Sequence, residues 1–314
     1  MTLFYQLLIV GLASGAIYAL IALGYTMVYG IIELINFAHG DIFMIGTLVA
    51  VTVFGFFGIT NSPATWPTGW NLVGILLVTM IISTLICAVL GVVIERIAYR
   101  PLRNAPRLAP LISAIGVSLV LEDLGKIWKG NGNVPFPTIF PNVAFHFGPV
   151  TVNAIYLFVM VVAVILMLGL HWFITYTRAG RAMRAVAQDR EAAALMGINV
   201  NRVISTTFFV GAGLAGAASV IFGLQSGTTV FNLGFNLGLV AFTAAVLGGI
   251  GNIVGAMLGG VVIGVVESLA TLIPDSVLPH GGAPWTRAVI FAILILILVF
   301  RPSGLMGQQT PEKV

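Results

Sequence analysis

The chain has 314 residues, 59% of them hydrophobic and only 8% charged, with a mean hydropathy of +1.09 and a formal net charge of +4. A soluble domain carries about a quarter charged residues, so this composition leaves too little polar surface to cover a water-soluble globule and places the chain in a bilayer. So small a charge gives no reason to expect a nucleic-acid partner, and a lone cysteine, Cys87, excludes an internal disulfide.

A hydrocarbon core of about 30 Å takes about 20 apolar residues per helix. Nine candidate segments follow in chain order: Tyr5–Tyr29, Ile35–Gly58, Leu72–Ile94, Leu108–Lys126, Asn153–Phe173, Val203–Leu224, Leu237–Ile250, Ile253–Ile273 and Trp285–Phe300. The runs are long and do not alternate, which argues against a strand barrel. The expected fold is all-α, a polytopic integral membrane protein of 8–9 transmembrane segments forming one domain over residues 1–314. The first apolar run lacks a basic leader and is too long for a signal core, so no cleavable signal peptide is expected. The seventh segment is short for a span and reads as a half-helix or re-entrant piece.

Between the first two segments lies LINFAHGDIFMIG, which sets Asn36, His39 and Asp41 within six positions. Ionisable groups at membrane depth face a bundle interior or a water-filled cavity. On one unbroken helix Asn36 and His39 would share a face and Asp41 would not. A helix break, permitted by Gly30 and Gly40, accommodates all three better. Two readings stand: a break lining a substrate pathway, or a hydrated turn in which Asn36 caps the second helix. Catalysis is disfavoured, since His39 and Asp41 have no nucleophile nearby and neither HExxH nor GxSxG occurs.

Arg96, Arg100, Arg103 and Arg107 lie between the third and fourth segments, and Arg178, Arg181, Arg184, Arg190 and Arg202 between the fifth and sixth. Together they are nine of fourteen basic residues. The positive-inside bias makes both loops cytoplasmic. It puts the N-terminus outside and the tail with Arg301 and Lys313 inside, although Lys126, Lys129 and Arg287 then fall near the outer face. The Asn131–Pro149 loop has four prolines and no basic residue, as expected of an external loop without long helices. Glu122, Asp123 and Glu267 are the acidic candidates for ion coupling if the chain is a secondary transporter. Glu122 has Lys126 one turn away as an alternative partner.

The loop at 176–202 contains a short helix with proper ends. Asp189 serves as N-cap, Glu191 sits in the first turn and Gly197 ends it. Ala192, Ala193, Ala194, Leu195 and Met196 give it a small, mostly apolar surface suited to docking in a groove of another protein, or to lying on the membrane.

The sixth segment, VGAGLAGAASVIFG, loosely echoes the first, VGLASGAIYALIALG, and runs the opposite way. Each precedes a glycine-bearing interruption, GIIELINFAHG and LGGIGNIVG. Inverted repeats with broken helices point to a transporter whose pathway lies at the repeat interface, with Gly249 and Asn252 as counterparts of Asn36, His39 and Asp41. Glycines every four residues in TAAVLGGIGNIVGAMLGGVVIG line one face for close helix packing.

EAAALMG at Glu191–Gly197 resembles the EAA…G loop of ABC importer permeases, the segment that forms the coupling helix. The likeness extends through GAIYALIALGYTMVYGIIELINFAHGDIFMIG, IERIAYRPLR, LISAIGVSL, RAGRAMRAVAQDREAAALMGIN and FTAAVLGGIGNIVGAMLGG. These blocks resemble bacterial branched-chain amino acid ABC transporter permeases, in particular the smaller permease subunit of the high-affinity leucine/isoleucine/valine systems. The resemblance implies an inverted-repeat importer permease of the bacterial inner membrane. It implies a second homologous permease, two cytoplasmic ABC ATPase subunits and a periplasmic amino-acid-binding protein as partners. ATP and Mg would sit on the ATPases, with no cofactor on this chain. In agreement, the chain has no GxxxxGK[ST]. Asp189, Glu191, Ala192, Ala193, Met196 and Gly197 become the expected ATPase-coupling residues. A same-family permease for urea, amides or other amino acids would share nearly all of these motifs.

Overall fold

The protein is represented by a computed structural model that describes residues 2–34, 36–59, 67–103, 105–106, 108–137, 139–140, 143–147, 150–301 and 303–307. Ile35, Arg107, Pro149 and Lys313 lie outside these. Eleven α-helices are formed among the described residues: α1 Thr2–Ile32, α2 Ala38–Phe56, α3 Trp70–Ile94, α4 Leu108–Lys129, α5 Ala154–Tyr176, α6 Arg178–Gln188, α7 Arg190–Leu195, α8 Val200–Ser226, α9 Leu233–Gly248, α10 Ile253–Ala270 and α11 Thr286–Phe300. Eight helical stretches among the described residues are long and apolar enough to cross a membrane. The ninth, α9, has 16 residues, about 24 Å of helix and short of a full core.

The prolines of the external loop do not exclude extended structure. Val134–Pro135 (β1) pairs antiparallel with Thr228–Thr229 (β4), and Ala144–Phe147 (β2) with Val150–Asn153 (β3). Phe136 fills the space over Gly223 and meets Phe54 edge-on, with ring centroids 5.5 Å apart.

The packing is reciprocal. α1 lies antiparallel along α10, with Gly11 and Gly15 facing Gly264 and Val261. α8 lies along α3 in the same manner, with Gly216 against Ser83 and Ala212 against Gly91. The first helix of each half thus packs on the third helix of the other, and α2 and α9, the second helices, cross each other at Gly40, Gly234 and Gly238. At these crossings a Cβ would strike backbone, so glycine is what lets the helices close to van der Waals contact without a driving force between apolar surfaces in lipid.

The same symmetry corrects the pairing of interruptions. The counterpart of the break after α1 is the segment after α8, residues 227–232, which carries β4. LGGIGNIVG instead joins α9 to α10 and corresponds to the α2–α3 link. The two sequences share glycines but not a position in the repeat.

α1, α2 and α8 form the buried centre, while α3, α4, α5 and α11 turn large apolar side chains outward, as lipid-facing helices do. Both arginine-rich loops lie on one end. Arg103 Nη1 donates to Asn201 Oδ1 at 2.5 Å, and Arg103 pairs with Glu95, a fully buried carboxylate that also accepts from Ser205 at 2.7 Å.

Candidate functional site

The chain leaves α1 at Glu33, whose φ of 56° ends the helix in the left-handed region, and re-enters helix at Ala38. Asn36, His39 and Asp41 are 2%, 1% and 0% exposed. Each meets a different neighbour. Asn36 Oδ1 accepts from Tyr99 Oη at 2.9 Å. Asn36 therefore does not cap α2: Phe37 occupies that position, without a side-chain cap. The His39 ring occupies the space a side chain on Gly24 would need and stacks edge-on with Tyr25, centroids 4.9 Å apart. Asp41 accepts from Ser118 of α4 and faces the Gly234 backbone of α9. These three polar groups join helices α1, α2, α4 and α9 and the α3–α4 link. All three are buried, and none lines the cleft at the arginine-rich end.

A further polar seam runs nearby. Ser83 Oγ lies 3.1 Å from both the Gly46 and Gly216 carbonyls, which share its single proton, and Thr47 and Thr229 hydroxyls are 2.5 Å apart. In lipid such bonds satisfy groups that have no water to turn to.

The open space is elsewhere. A cleft of about 680 Å³ lies at the arginine-rich end, between α1 (Thr26, Gly30), α5 (His171, Thr175), α6 (Arg184, Gln188) and the α9–α10 turn. Asn252 lines it. Its Oδ1 also accepts from Gly255 N at 3.0 Å, capping α10, and its Nδ2 donates to Met306 O at 2.8 Å. Gly249 has φ 104° and lies against Gly307 and Ser303, away from the cleft lining. Thus of the five expected pathway residues, Asn252 is the one that lines this cleft, and it doubles as a structural tether.

Glu122 and Asp123 stand on α4, whereas Glu267 stands on α10 against the Tyr18 hydroxyl. Lys126 does not serve Glu122: its ammonium lies 5.8 Å from the centre of the Phe231 ring.

In the arginine-rich loop the polypeptide forms two helices. Thr177 caps α6 by accepting from Gly180 N at 3.0 Å. Asp189 caps α7, its Oδ1 accepting from Glu191 N at 2.9 Å and Ala192 N at 3.0 Å. Gly197, at φ 81°, ends the element. Leu195 and Met196 project outward at 88% and 83% exposure, whereas Ala193 is 4% exposed. Ala193 was expected on the docking surface. It faces its own bundle instead, because one side of so short a helix must pack somewhere. The other members of the expected apolar surface, Ala192, Ala194, Leu195 and Met196, are exposed.

The pattern read for Arg190 was a cytoplasmic charge only. Its Nε and Nη2 both donate to Ile31 O in the last turn of α1, at 3.1 and 2.6 Å. Nothing local in the sequence signals a contact across 159 positions.

Residues 7–298 match the model of the family described as branched-chain amino acid transport system / permease component. The chain is 42% identical to the high-affinity branched-chain amino acid transport system permease protein BraD of Pseudomonas aeruginosa, covering 98% of this chain and 97% of that protein. It is 41% identical to the corresponding permease protein LivH of Escherichia coli K12, covering 99% and 98%. A probable branched-chain amino acid transport permease protein LivH of Methanocaldococcus jannaschii is 27% identical, covering 92% and 88%.

Proposed function

This chain belongs to the branched-chain amino acid transport system / permease component family, as a multi-pass membrane permease, and on that premise we propose that it carries branched-chain amino acids across the bacterial inner membrane as the smaller permease of an ABC importer. The observation that carries the substrate class is the full-length identity of about two residues in five to the Pseudomonas and Escherichia permeases. The partners are a second, homologous permease, two cytoplasmic ATPases and a periplasmic binding protein. ATP and Mg are held by the ATPases, and this chain performs no covalent chemistry.

Residues 176–202 act as the coupling loop. The exposed Leu195 and Met196, beside Glu191 and Ala192, enter a groove on an ATPase. Capping by Asp189 and termination at Gly197 hold that short helix in shape. The cleft at the arginine-rich end is the cytoplasmic mouth of the pathway, bordered by Asn252. Outward-facing states would require α1, α2 and the α9–α10 turn to move together, since Gly30 packs on Gly251 and Gly40 on Gly234.

Uptake of radiolabelled leucine by cells expressing the complete operon tests the reading. Valine and isoleucine should compete at similar excess, and urea should not. Competition by urea or short amides with no effect of valine would replace the substrate assignment while leaving the permease intact.

A further inference from the structure

The cytoplasmic loop and the broken α1–α2 junction meet through one side chain. α1 has no basic residue in its own last turn. The final carbonyls of a helix lack intrahelical donors and carry its negative dipole end, so a cation there is stabilising. Arg190, the first residue of α7, supplies it by reaching Ile31 O with two donors. Two residues later Glu33 adopts φ 56° and the chain breaks. On the far side of the break, Tyr99 holds Asn36, and Tyr99 ends a π-helical turn at Glu95–Tyr99. Such turns recur at functional sites.

The interruption is therefore gripped at both ends by the two arginine-rich loops. Its near grip starts at the N-terminus of the helix whose exposed tip is Leu195 and Met196. A push on that tip moves Arg190 with it, because Arg190 adjoins the Asp189 cap and shares the six-residue helix. Two donors on one carbonyl transmit direction as well as position, which a single flexible ammonium does not.

We propose that Arg190 is the positioning residue that couples displacement of the docking helix to the end of α1 and the adjoining break. The inference rests on the coupling role proposed above for residues 176–202. A static fold support would be needed in equal measure for assembly and for transport. A transmission element is needed for transport alone.

The test compares wild type, Arg190→Gln and Arg190→Lys in the complete reconstituted complex. Membrane level, ATPase subunits retained on purification, basal and binding-protein-stimulated ATP hydrolysis, and leucine imported per ATP are measured. For Arg190→Gln the expected result is wild-type assembly, basal hydrolysis within about twofold, and at least about a tenfold fall in leucine imported per ATP, in line with losing a charge-assisted bond. Arg190→Lys should lie between. An unchanged leucine-to-ATP ratio in Arg190→Gln would overturn the proposal. So would parallel loss of assembly and transport in both variants, which marks a structural brace, or selective loss of the ATPase subunits, which marks a docking residue. If wild type itself retains no ATPase, the coupling reading of the loop fails first.

Discussion

His39 shows how a costly side chain is accommodated at membrane depth. The imidazole lies in the notch that Gly24 leaves on α1, with Tyr25 on its flank and the α8 backbone near Gly211. Adding a methyl group at Gly24 drives it into the ring, and overpacking of this kind costs about 1–3 kcal/mol. Gly24→Ala should therefore lower the melting temperature of the detergent-purified complex. His39→Ala should lower it too, through a cavity. The double variant should be more stable than the sum of the two losses, since one change makes room for the other. Strict additivity, followed by light scattering on heating, would show that the ring does not fill that notch. Because His39 is packed rather than cleft-lining, His39→Ala should reduce uptake and membrane level together. A selective loss of uptake would instead return it to the pathway. Its polarity and depth were legible in FAHGD. The partner was not, because Gly24 is remote in sequence and carries no polar atom in its side chain.

At the scale of elements, the short helix α7 divides its residues between two tasks. Ala193 packs inward, so Ala193→Trp should disrupt folding and lower the amount of protein in the membrane. Leu195→Asp and Met196→Asp alter only the exposed tip. They should leave that amount unchanged while the ATPase subunits are lost on affinity purification. Full retention of the ATPases in both would remove the tip from the interface. Gly197 has no atom near its missing side chain, yet its φ of 81° penalises any Cβ. Gly197→Ala should cost about 1 kcal/mol and Gly197→Val more. Asp189→Ala should cost about 1 kcal/mol through the lost cap, and the amplitude of binding-protein-stimulated hydrolysis would rank the three. A ranking in which Gly197→Val is the mildest would contradict the left-handed ending. The ends of this helix were readable because caps are local chemistry. The direction of Ala193 was not, since six residues present no periodic stripe long enough to separate an inner face from an outer one.

For the whole molecule, the positive-inside bias predicts that the arginine-rich end faces the cytoplasm and that the β1–β4 pair lies at the opposite end. In a Cys87→Ala background, a cysteine at Asn131 should react with an impermeant thiol reagent on intact cells, and one at Asn199 should react only after the membrane is opened. The reverse pattern would invert the topology. Removing Cys87 is a small change, because its buried Sγ makes only weak sulfur contacts, to Ile42 O at 3.4 Å and to the Ser83 side chain. The membrane class, the approximate spans, the shortness of α9 and the family were all determined by the sequence itself. Hydropathy, charge bias and capping act within about 30 residues, and a string of amino acids displays such local effects directly. The tertiary structure decided which interruptions correspond, where open space lies, and what Asn36, Asn252 and Arg190 hold. The α1–α10 and α8–α3 pairings set these contacts by bringing together glycine-lined backbones far apart in the chain. A glycine in the sequence announces that a close approach is possible and says nothing of which backbone makes it.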